Sequence, residues 1–207
     1  VYCKSSSSNT DILNAEVTDA FIRNTHELYF ARFSEYFGNV IKGFFTDEPQ
    51  YYRTETPFTP ALVKDFRELY GEDVRDGLIY LFFHDEKGYL FRWRYYSLLH
   101  RYYIENYYKK LYDWCDAHGC MLTGHSIEES CLYGQMWGSG GVAETYAFEH
   151  IPAIDFLGRH CPGLLAAKQV AGSAQQLGRK YILTETFACV GHNTNPILLK
   201  SVGESQF

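Results

Sequence analysis

Two neighbouring carboxylates, Asp47 and Glu48, stand at the end of the apolar run VIKGFF and are followed at once by Pro49. The same arrangement recurs: His125 follows CMLTG, and Glu185 follows YILT. The segment TGHSIEES adds Glu128 and Glu129, three and four residues beyond His125, and Asp155 lies within AIDFL. Two carboxyl groups facing each other across a cleft are what glycoside hydrolysis requires, one protonated to assist the leaving oxygen and one ionised as base or nucleophile. Glu48 and Glu185 form that pair by position. The His125, Glu128 and Glu129 group could bind a metal, hold sugar hydroxyls or act as the base, and a plain helix N-terminus is an equally good reading of it. Each residue also has a plainer reading. A carboxylate at a strand end is usually a solvated loop residue, and acidic side chains in the first turn of a helix complement its dipole. Asp155 could bind a hydroxyl or hold a neighbouring loop, and His150, Arg159, His160 and His192 are individually better read as structural. Recurrence at three strand ends favours a site.

These residues need elements to carry them. Residues 16–37 place Val17, Phe21, Leu28, Phe33 and Phe37 at helical spacing, stopped by Gly38. VIKGFF reads as a strand, and Pro49 cannot extend it as a central one. Residues 50–94 form a helical excursion with helices in TPALVKDFRELYG and DVRDGLIYLFF. An aromatic helix follows over 92–118, with Trp93, Tyr96, Tyr103, Tyr107, Leu111 and Trp114 on one stripe. CMLTGHS, AIDFL and YILTETF read as further strands. The helix LLAAKQVAGSAQQLG between the last two is small-sided enough to lie close on a sheet.

Strand, helix, strand in repeated units of about 30 residues is the pattern of a parallel sheet with crossovers. Neither G-x-G-x-x-G nor G-x-x-x-x-G-K-[ST] occurs, so dinucleotide and P-loop chemistry lose their main support. The expected fold is therefore α/β, a (β/α)8 TIM-type barrel. Four visible strands against the required eight imply part of one, about strands four to seven with flanking helices. All strand C-termini of such a barrel open on one face, which brings the carboxylates together.

The bulk numbers agree. A chain of 207 residues, 46% hydrophobic, can bury a full core. A net charge of −6 with scattered basic residues disfavours nucleic acid. No apolar run reaches the roughly 20 residues needed for a membrane span, and no secretory signal lies within the chain. The six cysteines contain no C-x-x-C pair, so they read as mostly buried free thiols, which leans toward a cytoplasmic setting and leaves export open. The aromatic content of 17% could supply sugar-stacking surfaces, but core packing is the better reading for most of these rings.

The succession FFTDEPQ, LTGHSIEE, HIPAIDFLGR and AKQVAGSAQQLGRKYILTETFA resembles the barrel core of bacterial glycoside hydrolases similar to the α-L-rhamnosidases of glycoside hydrolase family 106. The likeness extends over roughly residues 11–200. It implies inverting cleavage of a terminal α-L-rhamnose from an oligo- or polysaccharide. It also implies a calcium ion near the site, and a longer protein whose remaining barrel strands and accessory β-rich domains complete this piece. By motif position it suggests Glu48 as acid and Glu185 as base, with Glu128 or Glu129 as alternatives, and Asp47, His125, Glu128, Glu129, Asp155 and His192 around the substrate. Ala153 stands where the family pattern has glycine and His192 where it has tryptophan, which leaves open a sugar other than rhamnose. Two rival readings come from other classes: a non-catalytic carbohydrate-binding barrel, and a metal-dependent sugar isomerase or lyase with His125, Glu48, Glu185 and Asp155 around a divalent ion.

Overall fold

The computed structural model describes residues 10–51, 56–83, 85–159 and 163–207. The opening segment, with Cys3, and the loop residues His160 and Cys161 lie outside the described residues.

The chain enters through helices α1 (Ala15–Asn24) and α2 (His26–Phe33) and a short 3-10 turn, Ser34–Tyr36. Asn14 caps α1 by accepting from the Glu16 amide. The single helix expected over 16–37 is in fact broken, because Thr25 leaves the helical region with φ −127° and ψ −71°. That break turns His26 into the core, where its ring meets Phe21, Phe44 and Trp114.

Strand β1 (Gly43–Asp47) starts three residues later than VIKGFF suggests, so Asp47 is its last residue rather than part of the loop. The excursion then supplies α3 (Ala61–Tyr70), α4 (Val74–Gly77) and a 3-10 turn, Leu78–Leu81. Next comes one long aromatic helix in three parts: α5 (Tyr89–Tyr102), a π-helical segment Tyr103–Tyr108, and α6 (Lys109–Ala117). The π segment fits one more residue into its turn, which rotates the apolar stripe. The face is Phe91, Tyr95, Leu98 and Tyr102 before the segment, Tyr108 at its end, and Leu111 and Cys115 after it, while Trp93, expected on the stripe, is exposed. Core packing accounts for only part of the aromatic content, which corrects the expectation that it takes most of these rings: Tyr95, Tyr103, Tyr108, Tyr146 and Phe66 are fully buried, whereas Phe45, Phe82, Phe83, Tyr89, Tyr133 and Tyr181 are exposed. Each fully buried ring of this size contributes roughly 1.5–3 kcal/mol.

Strand β2 (Met121–His125), helix α7 (Leu132–Gly138), a 3-10 turn Thr145–Phe148, β3 (Ile151–Phe156), α8 (Leu165–Gln176), β4 (Leu183–Thr186) and α9 (Pro196–Glu204) complete the chain. Cys115 and Cys120 are buried free thiols, but Cys131 and Cys189 are exposed, which corrects the expectation for those two.

The four strands form one parallel sheet in the order β1-β2-β3-β4. Each crossover therefore adds its strand on the same side, and no reversal of direction divides the described strands as it would in a doubly wound sheet. The β1–β2 pairing runs from Gly43↔Met121 to Asp47↔His125. Gly43 and Gly124 allow this approach, since a Cβ on either would lie 2.2 Å from the carbonyl oxygen of Met121 or Thr46. The β2–β3 ladder is short, Thr123↔Ile151 and Gly124↔Pro152, and Pro152 has no N–H to give it. The β3–β4 ladder ends with Asp155↔Glu185 and Phe156↔Thr186.

The two faces of the sheet differ. Leu122, Ile154 and Phe156 are buried on the side that carries the helices, where Leu122 packs with Leu111, Trp114 and Cys115, and Ile154 with Ala166 and Val170. The opposite face holds Phe45, Met121, Ile151 and Leu183. Phe45 is 48% exposed, and the other three are only half-buried.

Candidate active site

The alternation of side chains along a strand, combined with the register, puts Asp47, His125, Asp155 and Glu185 on that less covered face at its C-terminal end. Glu48 follows β1 directly, and its amide bonds the His125 carbonyl at 3.2 Å, extending the ladder by one step. His125 is the hub. Its ring is buried, 1% exposed, and Nε2 donates to Glu185 Oε2 at 2.7 Å, with Asp47 Oδ1 at 3.5 Å. Two sets of three groups, Asp47–His125–Glu185 and Glu48–His125–Asp155, each bring one donor atom per residue within 4.8 Å of the others. Phe45 closes over the imidazole edge with ring centroids 5.4 Å apart.

The electrostatics follow from this crowding. Burial pulls the His125 imidazolium pKa down, but the Glu185 hydrogen bond and the negative charges of Asp155, Glu129 and Glu185 outweigh it and hold the pKa above the ordinary value. Burial raises the Asp155 carboxyl, and the charges of Glu185, Glu48 and Asp47 add to the rise against the pull of His125. The arrangement thus sets an imidazole whose pKa is held up by its acidic neighbours beside a carboxyl whose pKa is raised by burial. Such a pair of environments is what proton-transfer chemistry uses.

Backbone strain gathers at the same end. Glu48, Glu128, Phe187 and Cys189 are non-glycine residues with φ between 46° and 75°, and they follow β1, β2 and β4. L side chains avoid this region, and such positions concentrate where the surroundings hold a side chain in place for a purpose. The loop behind Glu48 is tied down by the π segment. Tyr103 donates its hydroxyl to the Pro49 carbonyl, and Tyr107 shares a 2.8 Å hydrogen bond with Thr46.

Not every expected residue joins the cluster. Residues 126–131 form a turn and α7 begins only at Leu132, so the helical spacing of His125, Glu128 and Glu129 is not realised as a helix. Glu128 is exposed, and His192 is exposed in the loop after β4; neither is among the groups that meet at His125. Glu129 is near the cluster but 4% exposed, with both carboxylate oxygens engaged by backbone amides, so it supports the floor rather than lining an open surface. The expectation for Glu48 and Glu185 is that they face each other across open space three strands apart. They are three strands apart, yet both approach the same histidine. Asp155 joins the cluster beside His125 and Glu48, where the alternation of side chains along β3 places it. Tyr103 and Tyr107 give no sequence signal beyond an aromatic stripe, because only the π segment aims them at β1.

No sequence-family model matches this chain, and no curated protein matches it. Among solved structures, the chain is similar to a rhamnosidase from Novosphingobium sp. PP1Y, with a TM-score of 0.75 at 18% sequence identity, and the match covers 95% of this chain. The chain spans 19% of that protein's length. The likeness is one of fold alone, that of a mixed α/β unit with helices and a four-stranded parallel sheet.

Proposed function

We propose that this chain is part of a glycoside hydrolase barrel and contributes the acid and base of a sugar-cleaving site, with α-L-rhamnosides as the first substrates to test. The observation that carries this reading is the convergence of Asp47, Glu48, His125, Asp155 and Glu185 from four consecutive parallel strand ends. The sequential strand order and the less covered face support closure by further strands into a barrel, and the rhamnosidase likeness supports the sugar class.

In this mechanism Glu48, held at the strained end of β1, protonates the departing glycosidic oxygen. Glu185, oriented by the 2.7 Å bond from His125, activates water for attack on the anomeric carbon. Asp47 and Asp155 bind sugar hydroxyls through their carboxyl oxygens. A water between acid and base needs a carboxyl separation of roughly 6.5–9.5 Å and gives inversion.

The calcium ion implied by the resemblance fits the oxygen donors of Asp47, Glu48, Asp155 and Glu185, since hard cations prefer carboxylates. The His125 nitrogen would then serve by orienting Glu185 rather than as a ligand. Such an ion would polarise and orient sugar hydroxyls. The imidazole at the centre of both triads also favours a second reading, a metal-dependent sugar isomerase or lyase, because mixed nitrogen and oxygen donors suit transition metals.

The test uses the full-length protein with a panel of aryl glycosides including α-L-rhamnoside. Glu185→Gln should lower kcat for the preferred glycoside by roughly 10²–10⁴-fold with an unchanged melting temperature. Glu48→Gln should do the same most severely on substrates with poor leaving groups. Undiminished turnover in both variants sinks the assignment. Sugar isomerisation or elimination that is abolished by chelation, without glycoside release, selects the second reading.

A further inference from the structure

The cluster rests on a buried glutamate that the proposed chemistry leaves unused. Glu129 Oε2 accepts from the Asp155 amide at 2.8 Å, and Oε1 accepts from the Ser126 amide at 3.2 Å. One carboxylate thereby joins β3 to the residue that follows His125. The join occurs where the sheet offers none: the β2–β3 ladder stops at Gly124↔Pro152, and Asp155 lies three residues further along. A second carboxylate acts one step deeper, where Glu149 Oε2 accepts from the Ala153 amide at 3.2 Å.

Glu129 is itself held. Its carbonyl accepts from Gln135 Nε2 on α7 at 2.8 Å, and the same amide group donates to Gln169 Oε1 on α8 at 2.6 Å. Gln135 is 2% exposed. A continuous chain of bonds thus runs from α8 through α7 and Glu129 to the two strand ends that present His125 and Asp155.

From this geometry we infer that Glu129 is a positioning residue: its two carboxylate oxygens clamp β2 and β3 so that His125 and Asp155 stand in reacting register. The clamp requires two acceptors. A glutamine of the same shape keeps one oxygen and turns an NH2 toward a backbone N–H, whereas a shorter aspartate keeps both oxygens. The inference rests on the glycosidase reading for its kinetic consequence but not for its structural one.

The experiment compares Glu129→Asp, Glu129→Gln and Glu129→Ala in the full-length protein. Turnover of the preferred glycoside should fall in the order wild type, Asp, then Gln and Ala together. The last two should lose about 10²-fold in kcat, the scale of an ångström of misplacement, with KM changed only a few-fold. A role in packing alone predicts the reverse order, with isosteric Gln near wild type and Asp impaired, and that result overturns the inference. Amide exchange at Ser126 and Asp155 is followed in the same variants and does not depend on any activity. Faster exchange in Gln than in Asp supports the clamp even if no glycoside is cleaved, and equal exchange in all four proteins refutes it.

Discussion

At the scale of single residues, the ionisable groups most readable in the sequence are those at strand ends. Asp47, Glu48, His125 and Glu185 do meet, because strand ends converge whatever the details of packing. Glu128 and Glu129 mislead because their helical spacing falls in a turn, where adjacent residues can part company: one is exposed and the other buried. His26 carries no signal at all, since a histidine beside a helix break looks like any surface residue. Its ring sits among Phe21, Phe44 and Trp114 with Nδ1 buried and unpartnered, and burial lowers its pKa from 6.5 to about 4 against a small opposing effect of Glu27. The unfolded chain therefore binds a proton that the folded one refuses. The stability this represents is complete above pH 6.5 and is lost progressively as the pH falls from there through 4, by on the order of 2–3 kcal/mol. Urea unfolding at pH 7 and pH 5 should show a smaller loss for His26→Phe than for the wild-type protein.

At the scale of elements, the strands and the helix before β4 are legible to within a few residues, because period and flanking glycines announce them. The long aromatic helix is legible as a helix but not in its phase, since one added residue in the π segment shifts which rings turn inward. The shift serves the site, for it aims Tyr103 and Tyr107 at the Pro49 carbonyl and Thr46, on either side of the two carboxylates. Tyr103→Phe removes one buried hydrogen bond and leaves the Pro49 carbonyl without it. The expected cost is about 1–2 kcal/mol in denaturant unfolding, accompanied, under the proposed role of Glu48 as acid, by a several-fold fall in kcat as that residue loosens. A stability loss without any kinetic effect would show that the loop is held well enough by Tyr107.

At the scale of the molecule, the parallel architecture is legible from the alternation of strands and helices, but the condition of the sheet is not. Phe45 is 48% exposed, Met121, Ile151 and Leu183 are half-buried beside it, and within the described residues β1 and β4 are edges without a further strand. Open edges next to apolar surface promote association. The 207-residue chain on its own should bind a hydrophobic dye and self-associate with rising concentration, as light scattering would detect, and Phe45→Lys should reduce both. A monomeric chain indifferent to dye would contradict this picture. In the proposed barrel the same asymmetry divides labour in the wall of the mouth. One arc would hold the carboxylates and the imidazole gathered at His125, and the facing arc would shape the space a guest enters. Exchanging that facing arc between related proteins would then alter which glycan is admitted while leaving the bond-breaking apparatus intact.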